Sequence, residues 1–427
     1  MKQQSVKTMA VVLLLILGGG IGGRAQASCA ADSLGSGQTA LAAQNYTTAV
    51  EQFTCALQVD PANAAAHQGR ISAALFTRQY GLAIADVNYL MDNAPADFDA
   101  FMAAAVQEAN FNPRSIPALM LRTFLYWASA DDAQAQADAN SILQLEPNNG
   151  FALLFRGSSS QYLGDVLLAS DDFADAVERD ADNPHVYSVI GSTYAQTGEY
   201  DRALQYLDQA LRRDPGHARA HYFTGYVLLQ RNQLDAAIAS LTRAIELDST
   251  QPDPYYDRAL AYGRQQNYPA ALSDLDRALA LEPGFRLAVV ARGRIHELMG
   301  DEQAALADYS RYIDLNTLRQ VNGEPLFPDL PVTLTMEDGI LYRLPLQAAA
   351  GQVITITAES PNDLADPLLL LLDPSGAPVA ASDDIVIGDY TARIDQVTLP
   401  TSGAYLVLLT HSDGGYRGRV DLIASLN

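Results

Sequence analysis

Lysine is nearly missing from this chain. Lys2 and Lys7 are the two it has in 427 residues, so every later fixed positive charge is an arginine. Cysteine is as scarce, with Cys29 and Cys55 alone, which excludes a disulfide-dense scaffold and a four-cysteine zinc site. No run of residues beyond Ile21 approaches the roughly 20 apolar residues that span a bilayer as a helix. A clustered positive surface is also lacking: the formal charge is −23 and the acidic excess is spread along the chain. That argues against a nucleic-acid partner, since phosphate backbones need concentrated cations. What is present is an ordinary globular balance, 48% hydrophobic and 18% charged, with length for two or three domains.

The two lysines have a use. They form a positive start, Ala10–Leu17 an apolar middle, and Ala25-Gln26-Ala27 puts small residues where a signal peptidase reads, so residues 1–27 are read as a secretory signal peptide. The expected location is exported: periplasmic, cell-envelope or secreted, with membrane contact limited to passage. In an oxidising destination a Cys29–Cys55 disulfide is expected, contributing roughly 3 to 4 kcal/mol to a terminal hairpin covered on one side. The competing reading, a lipid-modified Cys29, needs Leu where Gln26 stands.

The chain repeats itself every 34 residues. Gly157, Gly191, Gly225, Ala259 and Gly293 form one register, Ala169, Ala203, Ala237, Ala271 and Ala305 a second, and Ala176, Ala210, Ala244 and Ala278 a third. Small residues recur because two antiparallel helices approach most closely there. Aromatic and leucine positions such as Tyr194, Tyr200 and Leu207 supply the apolar stripe. Prolines in Glu146-Pro147, Asp214-Pro215 and Glu282-Pro283 end each unit, because the ring cannot continue a helix. Ile71 and Thr123 occupy corresponding positions 52 residues apart, so an extra helix is expected around Asp97–Ala109 within an irregular insertion near 96–116.

Segments such as YSVIGSTYAQTGEYDRALQYLDQALRRDP (187–215) and YYDRALAYGRQQNYPAALSDLDRALALEP (255–283) resemble tetratricopeptide repeats. The resemblance covers residues 28–318 in about eight units. It implies an all-α solenoid whose concave face, lined by the first helix of each hairpin, takes a protein or peptide. Carried onto this sequence, the inward positions are Phe124, Trp127, Tyr162, Arg219, Tyr222, Tyr226, Asp253, Tyr256, Arg264 and Arg294. A well-known variant grips a C-terminal carboxylate with Lys and Asn; here Tyr222, Tyr226, Asp257, Leu287 and Ala291 stand at those positions, so that clamp is not expected.

After a proline-punctuated linker (319–331) the period changes to two. Seven strands are predicted: Val332–Met336, Ile340–Leu346, Val353–Ala358, Leu368–Leu372, Tyr390–Val397, Tyr405–Thr410 and Arg419–Ile423. Residues 332–427, with AGQVITITAES and DLADPLLLLLDPSGAPVAASDD, resemble the bacterial pre-peptidase C-terminal domain. That resemblance implies a jelly-roll-like β-sandwich on an extracytoplasmic protein, and a Ca²⁺ site for which Asp366, Asp383, Asp384 and Asp389 supply oxygen ligands. The alternative is that Asp383-Asp384 caps a turn and Asp366 orders its own loop.

Catalytic grammar is not found. His67, His185, His217, His221, His296 and His411 stand apart from recognisable motifs; His296-Glu297 opens like a zinc-protease helix, but Gly300 occupies the second ligand position. Asp274 and Asp276, two apart on a helix, read as solvated surface. The expectation is a multidomain, non-enzymatic scaffold without a required cofactor, binding a partner in the helical groove. The alternative is an adhesion or ligand-binding protein acting through the sandwich.

Overall fold

The computed structural model describes residues 29, 32–315, 318–336, 339–361, 366–383, 391–411 and 418–427; the expected signal peptide, residues 1–27, lies outside them. Among the described residues there are 17 helices followed by nine strands in two sheets. No helix among them is long and apolar enough to cross a membrane.

Sixteen helices pair into eight hairpins: α1 (Ser33–Ala42) with α2 (Tyr46–Val59), α3 (Ala64–Phe76) with α4 (Tyr80–Asn93), α6 (Ile116–Ala128) with α7 (Asp132–Leu145), and α8 (Gly150–Leu163) with α9 (Val166–Arg179). Then come α10 (Pro184–Gln196) with α11 (Tyr200–Arg213), α12 (Ala218–Gln230) with α13 (Leu234–Leu247), α14 (Pro252–Arg264) with α15 (Tyr268–Leu281), and α16 (Arg286–Leu298) with α17 (Glu302–Leu315). The odd helix, α5 (Pro95–Phe111), is the expected extra one, longer at both ends because Pro95 starts it at a position where a missing N–H costs nothing.

Side-chain caps start many of the helices: Asn45, Asn63, Asp131, Asn149 and Asp165 each accept from a backbone N–H three residues on. Every hairpin turns through one left-handed residue, in order Gln44, Arg78, Ala130, Gly164, Gly198, Asn232, Gln266 and Gly300. The register is that of the small residues, 34 apart throughout except for the longer step across α5. Three of the eight are glycine, so this punctuation is mostly hidden in the sequence.

Within each hairpin, residue i faces residue i+16. A Cβ added at Gly157 would lie 2.9 Å from the Phe173 ring, at Gly191 2.8 Å from Leu207 and at Gly225 2.5 Å from Leu241, which is why the register admits little beyond hydrogen. One residue earlier the same geometry joins arginine to aspartate. Arg70–Asp86, Arg122–Asp138, Arg156–Asp172, Arg258–Asp274 and Arg292–Asp308 are two-pronged pairs at 2.6 to 2.9 Å. Several of these arginines also donate to the preceding hairpin, Arg70 to Thr54, Arg156 to Asn140 and Arg292 to Asp276, so one side chain ties two repeats together. Asp274 is therefore a buried partner of Arg258 and not solvated surface; only Asp276 is exposed.

Packing separates two compact units, the first ending at Asp257 and the second beginning at Arg258. In the first, Cys29 and Cys55 are joined with Cα atoms 5.6 Å apart. Helix α4 serves both its own hairpin and the first-helix face of later ones. Buried Tyr80 meets Phe155 edge-on at 5.6 Å and Phe151 at 6.1 Å. Arg78 pairs with Asp180 at 3.2 Å, and the Asn183 amide donates to the Arg78 carbonyl at 3.4 Å. Gly81 approaches α10 so closely that a Cβ would lie 3.3 Å from His185 Nδ1.

The second unit holds the β-sandwich. Sheet order is β1-β3-β8-β5-β6 against β2-β9-β4-β7, with β1 Arg319–Asn322, β2 Val332–Met336, β3 Ile340–Ala348, β4 Val353–Glu359, β5 Pro367–Leu372, β6 Pro378–Ser382, β7 Thr391–Thr398, β8 Gly403–His411 and β9 Gly418–Leu426. All seven predicted strands are there. The other two, β1 and β6, are short; β1 lies in the expected linker and pairs parallel to β3. Leu344, Leu346, Leu369 and Val407 of one sheet meet Ile354, Ile356, Ile394 and Leu422 of the other. The unbroken Leu368–Leu372 run is explained by burial on both faces: Leu370, with Leu341 and Leu408, packs under Leu306 and Ile313 of α17.

Candidate functional site

Helix α12 presents Arg219, Tyr222 and Tyr226 at spacings of three and four, one face of a helix. Tyr222 and Tyr226 keep part of their surface open yet are crowded on their other sides. Burial raises both phenols, Tyr222 well above its ordinary value and Tyr226 to about 12, with the Asp257 carboxylate adding to each. Asp253 and Asp257 are buried acids and also act on Tyr222. Arg219 stacks over Phe223, its Cζ 4.7 Å from the ring centre, and burial pulls its pKa down.

At the start of the same face His217 Nε2 lies 3.1 Å from His185 Nδ1, while His217 Nδ1 accepts from the Ala220 N–H. Desolvation, then the neighbouring His185, lowers His217 to about 4; desolvation lowers His185 as well, against the opposing pull of Asp214 and Asp180. Both rings are thus neutral at pH 7.

Four expected groove residues are placed elsewhere. Phe124 is fully buried, edge-on to Phe155 at 5.6 Å. Trp127 meets the same ring at 5.0 Å, and its indole N–H donates to Ser158 Oγ at 2.8 Å. Tyr162 is buried and donates to Gln196 Oε1. Phe124 is closed off, whereas Trp127 and Tyr162 each keep an edge on a small cavity that Ile84 and Asn88 of α4 also line. Arg294, in the second unit, donates to Asp383 at 2.8 and 2.5 Å and reaches Asp366 at 3.5 Å. Tyr256 is half-buried on α14 and Arg264 is exposed at its end.

The Arg294 contacts bear on the two expected calcium ligands that are described, Asp366 and Asp383. A guanidinium already supplies the positive charge between these buried carboxylates, and Asp384 and Asp389 lie outside the described residues. Among the described residues no cluster of three or more His, Cys, Asp or Glu side chains is arranged to hold a metal.

Residues 188–252 and 256–319 match the sequence model of the tetratricopeptide repeat. The hairpins within those residues match the tetratricopeptide repeat. Such repeats mediate protein–protein and peptide binding and are generally not enzymes. Among solved structures, the chain is similar to the APC/C hetero-tetramer Cut9–Hcn1 (14% identity, 66% of this chain and 52% of that one, TM-score 0.47). It is also similar to pilF of Pseudomonas aeruginosa (19%, 46% and 90%, 0.41) and to YrrB, described as a TPR protein with an unusual peptide-binding site (21%, 45% and 98%, 0.33). No curated protein matches the chain.

Sequence reasoning missed Asp257, the His185–His217 pair and the arginine clamps. A search for charged pairs sixteen apart would have found the clamps. The histidine pair has no such signal, because the rings come from different hairpins.

Proposed function

We propose that this protein is an exported, non-enzymatic scaffold that holds a protein or peptide partner on the tyrosine-bearing face of α12. The observation that carries the reading is the state of Tyr222 and Tyr226: large, partly open, and set near the buried acids Asp253 and Asp257. Such side chains anchor interfaces because they bury much area at little entropic cost while keeping a polar tip. Export is supported by the Cys29–Cys55 bond, which persists in oxidising compartments and is rare in reducing ones. The test is affinity capture from an envelope extract with the full chain and with a Tyr222→Ala/Tyr226→Ala variant. Partners held by the first and lost by the second support the face; equal recovery by both removes it. Mass spectrometry of the secreted form checks export, with an N-terminus at Ser28 expected.

A second reading, adhesion through the sandwich with its resemblance to the pre-peptidase C-terminal domain, draws on Phe327 and Leu330, which are 60% and 59% exposed. Capture that survives loss of the tyrosines but not Phe327→Ser/Leu330→Ser would favour it.

A further inference from the structure

Arg219 differs from the clamping arginines. Each of the five clamps donates two bonds to an aspartate, whereas the Nε of Arg219 is shut off from solvent and has no hydrogen-bond acceptor among the described residues. Tyr222, Tyr162 and Asp253 act on it through space only, and Asp253 has interactions of its own. A buried guanidinium N–H without an acceptor is costly to keep unless an oxyanion completes it.

The surroundings say which oxyanion. Arg219 lines a cavity of about 40 Å³ together with Asn88, Trp127, Tyr162 and Gln196, at the place where α4 stops covering the first-helix face. That space holds a group of a few heavy atoms and excludes a sugar or a nucleotide. Asp253 and Asp257 nearby, on a chain of charge −23, penalise a dianion more than a monoanion.

We infer that Arg219 and this cavity are an anchor for a single carboxylate carried by the partner, an inference that rests on the partner-binding reading of α12. The contact is distinct from the Lys and Asn clamp, whose positions here hold Tyr222, Tyr226 and Asp257. Two planar N–H donors meet the two carboxylate oxygens, and the phenols of the face border the site.

The test follows the Nε resonance of Arg219 in the ¹⁵N-labelled full chain, assigned by its loss in Arg219→Gln. The probes are N-acetylglutamate α-amide, which has only a side-chain carboxylate, N-acetylglycine, which has only a terminal one, and N-acetylglutamine amide, which has neither. A saturable shift with a carboxylate and none with the neutral amide is expected. Arg219→Lys should weaken binding about 10- to 100-fold, since it keeps the charge and loses the fork. A response to one carboxylate alone assigns the source, an acidic side chain or a chain terminus. The anchor is overturned if neither carboxylate shifts the resonance, or if the neutral amide shifts it equally. Partner capture separates the two claims: retention by Arg219→Gln with loss by the tyrosine variant sinks the anchor and leaves the face standing.

Discussion

Five hairpins of this chain are closed by an arginine–aspartate clamp and three are not, and the three have found different substitutes. The α1/α2 hairpin has Ser36 and Gln52 at the clamp positions and the Cys29–Cys55 bond beside them. The α10/α11 hairpin has Ile190 and Tyr206, with Tyr206 stacked on Tyr194 at 5.7 Å, and α12/α13 has Thr224 and Ser240. The last two carry the histidine pair and the candidate face. Where the repeats hold one another through buried charge, their side chains are committed to the fold. Where they do not, polar groups remain for other uses.

The largest expected effect breaks a clamp. Asp86→Ala leaves Arg70, 1% exposed, without its carboxylate and deprives His67 of its 2.6 Å partner. The expected cost is about 3–5 kcal/mol by denaturant unfolding, while Arg70→Met/Asp86→Leu should come within about 1 kcal/mol of the parent or exceed it. A double variant as unstable as the single one would show that the clamp is more than an internally compensated pair.

Next, Cys29→Ser/Cys55→Ser should cost roughly 3 to 4 kcal/mol in the unit that holds α1 and α2, by loss of a 26-residue cross-link from the unfolded chain. Unchanged unfolding in the presence of reductant would mean that the first hairpin stands without its substitute.

Acid sharpens the comparison by sign. His217 titrates near 4 in the folded chain and near 6.5 unfolded, so between those values the unfolded chain takes up the proton and the first unit loses stability as pH falls. Asp383 is raised to about 7, chiefly by burial, against the opposing charge of Arg294. There the folded form binds the proton first, so the second unit gains stability as pH falls from 7 toward 4. Calorimetry of the full chain at pH 7.5, 6 and 5 should show two transitions moving in opposite directions, with the falling one less steep in His217→Gln. Movement of both in the same direction would contradict the assignment.

The smallest effect is Asp276→Ala. Its carboxylate is 64% exposed beside Arg292, which Asp308 already holds, so thermal unfolding should change by less than about 0.5 kcal/mol.

The repeat period, the helix count including the extra helix, and seven of the nine strands could be read directly, because each depends on local spacing. The clamps could have been: both partners lie in the sequence at a fixed offset, but Asp274 looks like any surface acid until Arg258 is placed opposite it. The path of α4 was not legible. Phe124, Trp127 and Tyr162 carry the right residue types for a groove, yet no local signal tells that α4 packs near them. Arg294 misled for a similar reason, since its acceptors, Asp366 and Asp383, are more than 70 residues away in another kind of structure. Strand β1, four residues long, is too short to show alternation, and β6 opens on Pro378 in a small-residue run poor in the β-branched and aromatic residues that signal a strand.

Stacked repeats ordinarily need a terminal helix with a polar outer side to seal the last apolar surface. Here a sheet does that work, with Leu341, Leu370 and Leu408 roofed by Leu306 and Ile313 of α17. A further hairpin could not be appended after α17 by duplication, because the surface it would occupy is taken. A repeat gained at this end would have to enter before α17, and loss of the sandwich would bare the leucine-lined face of that helix.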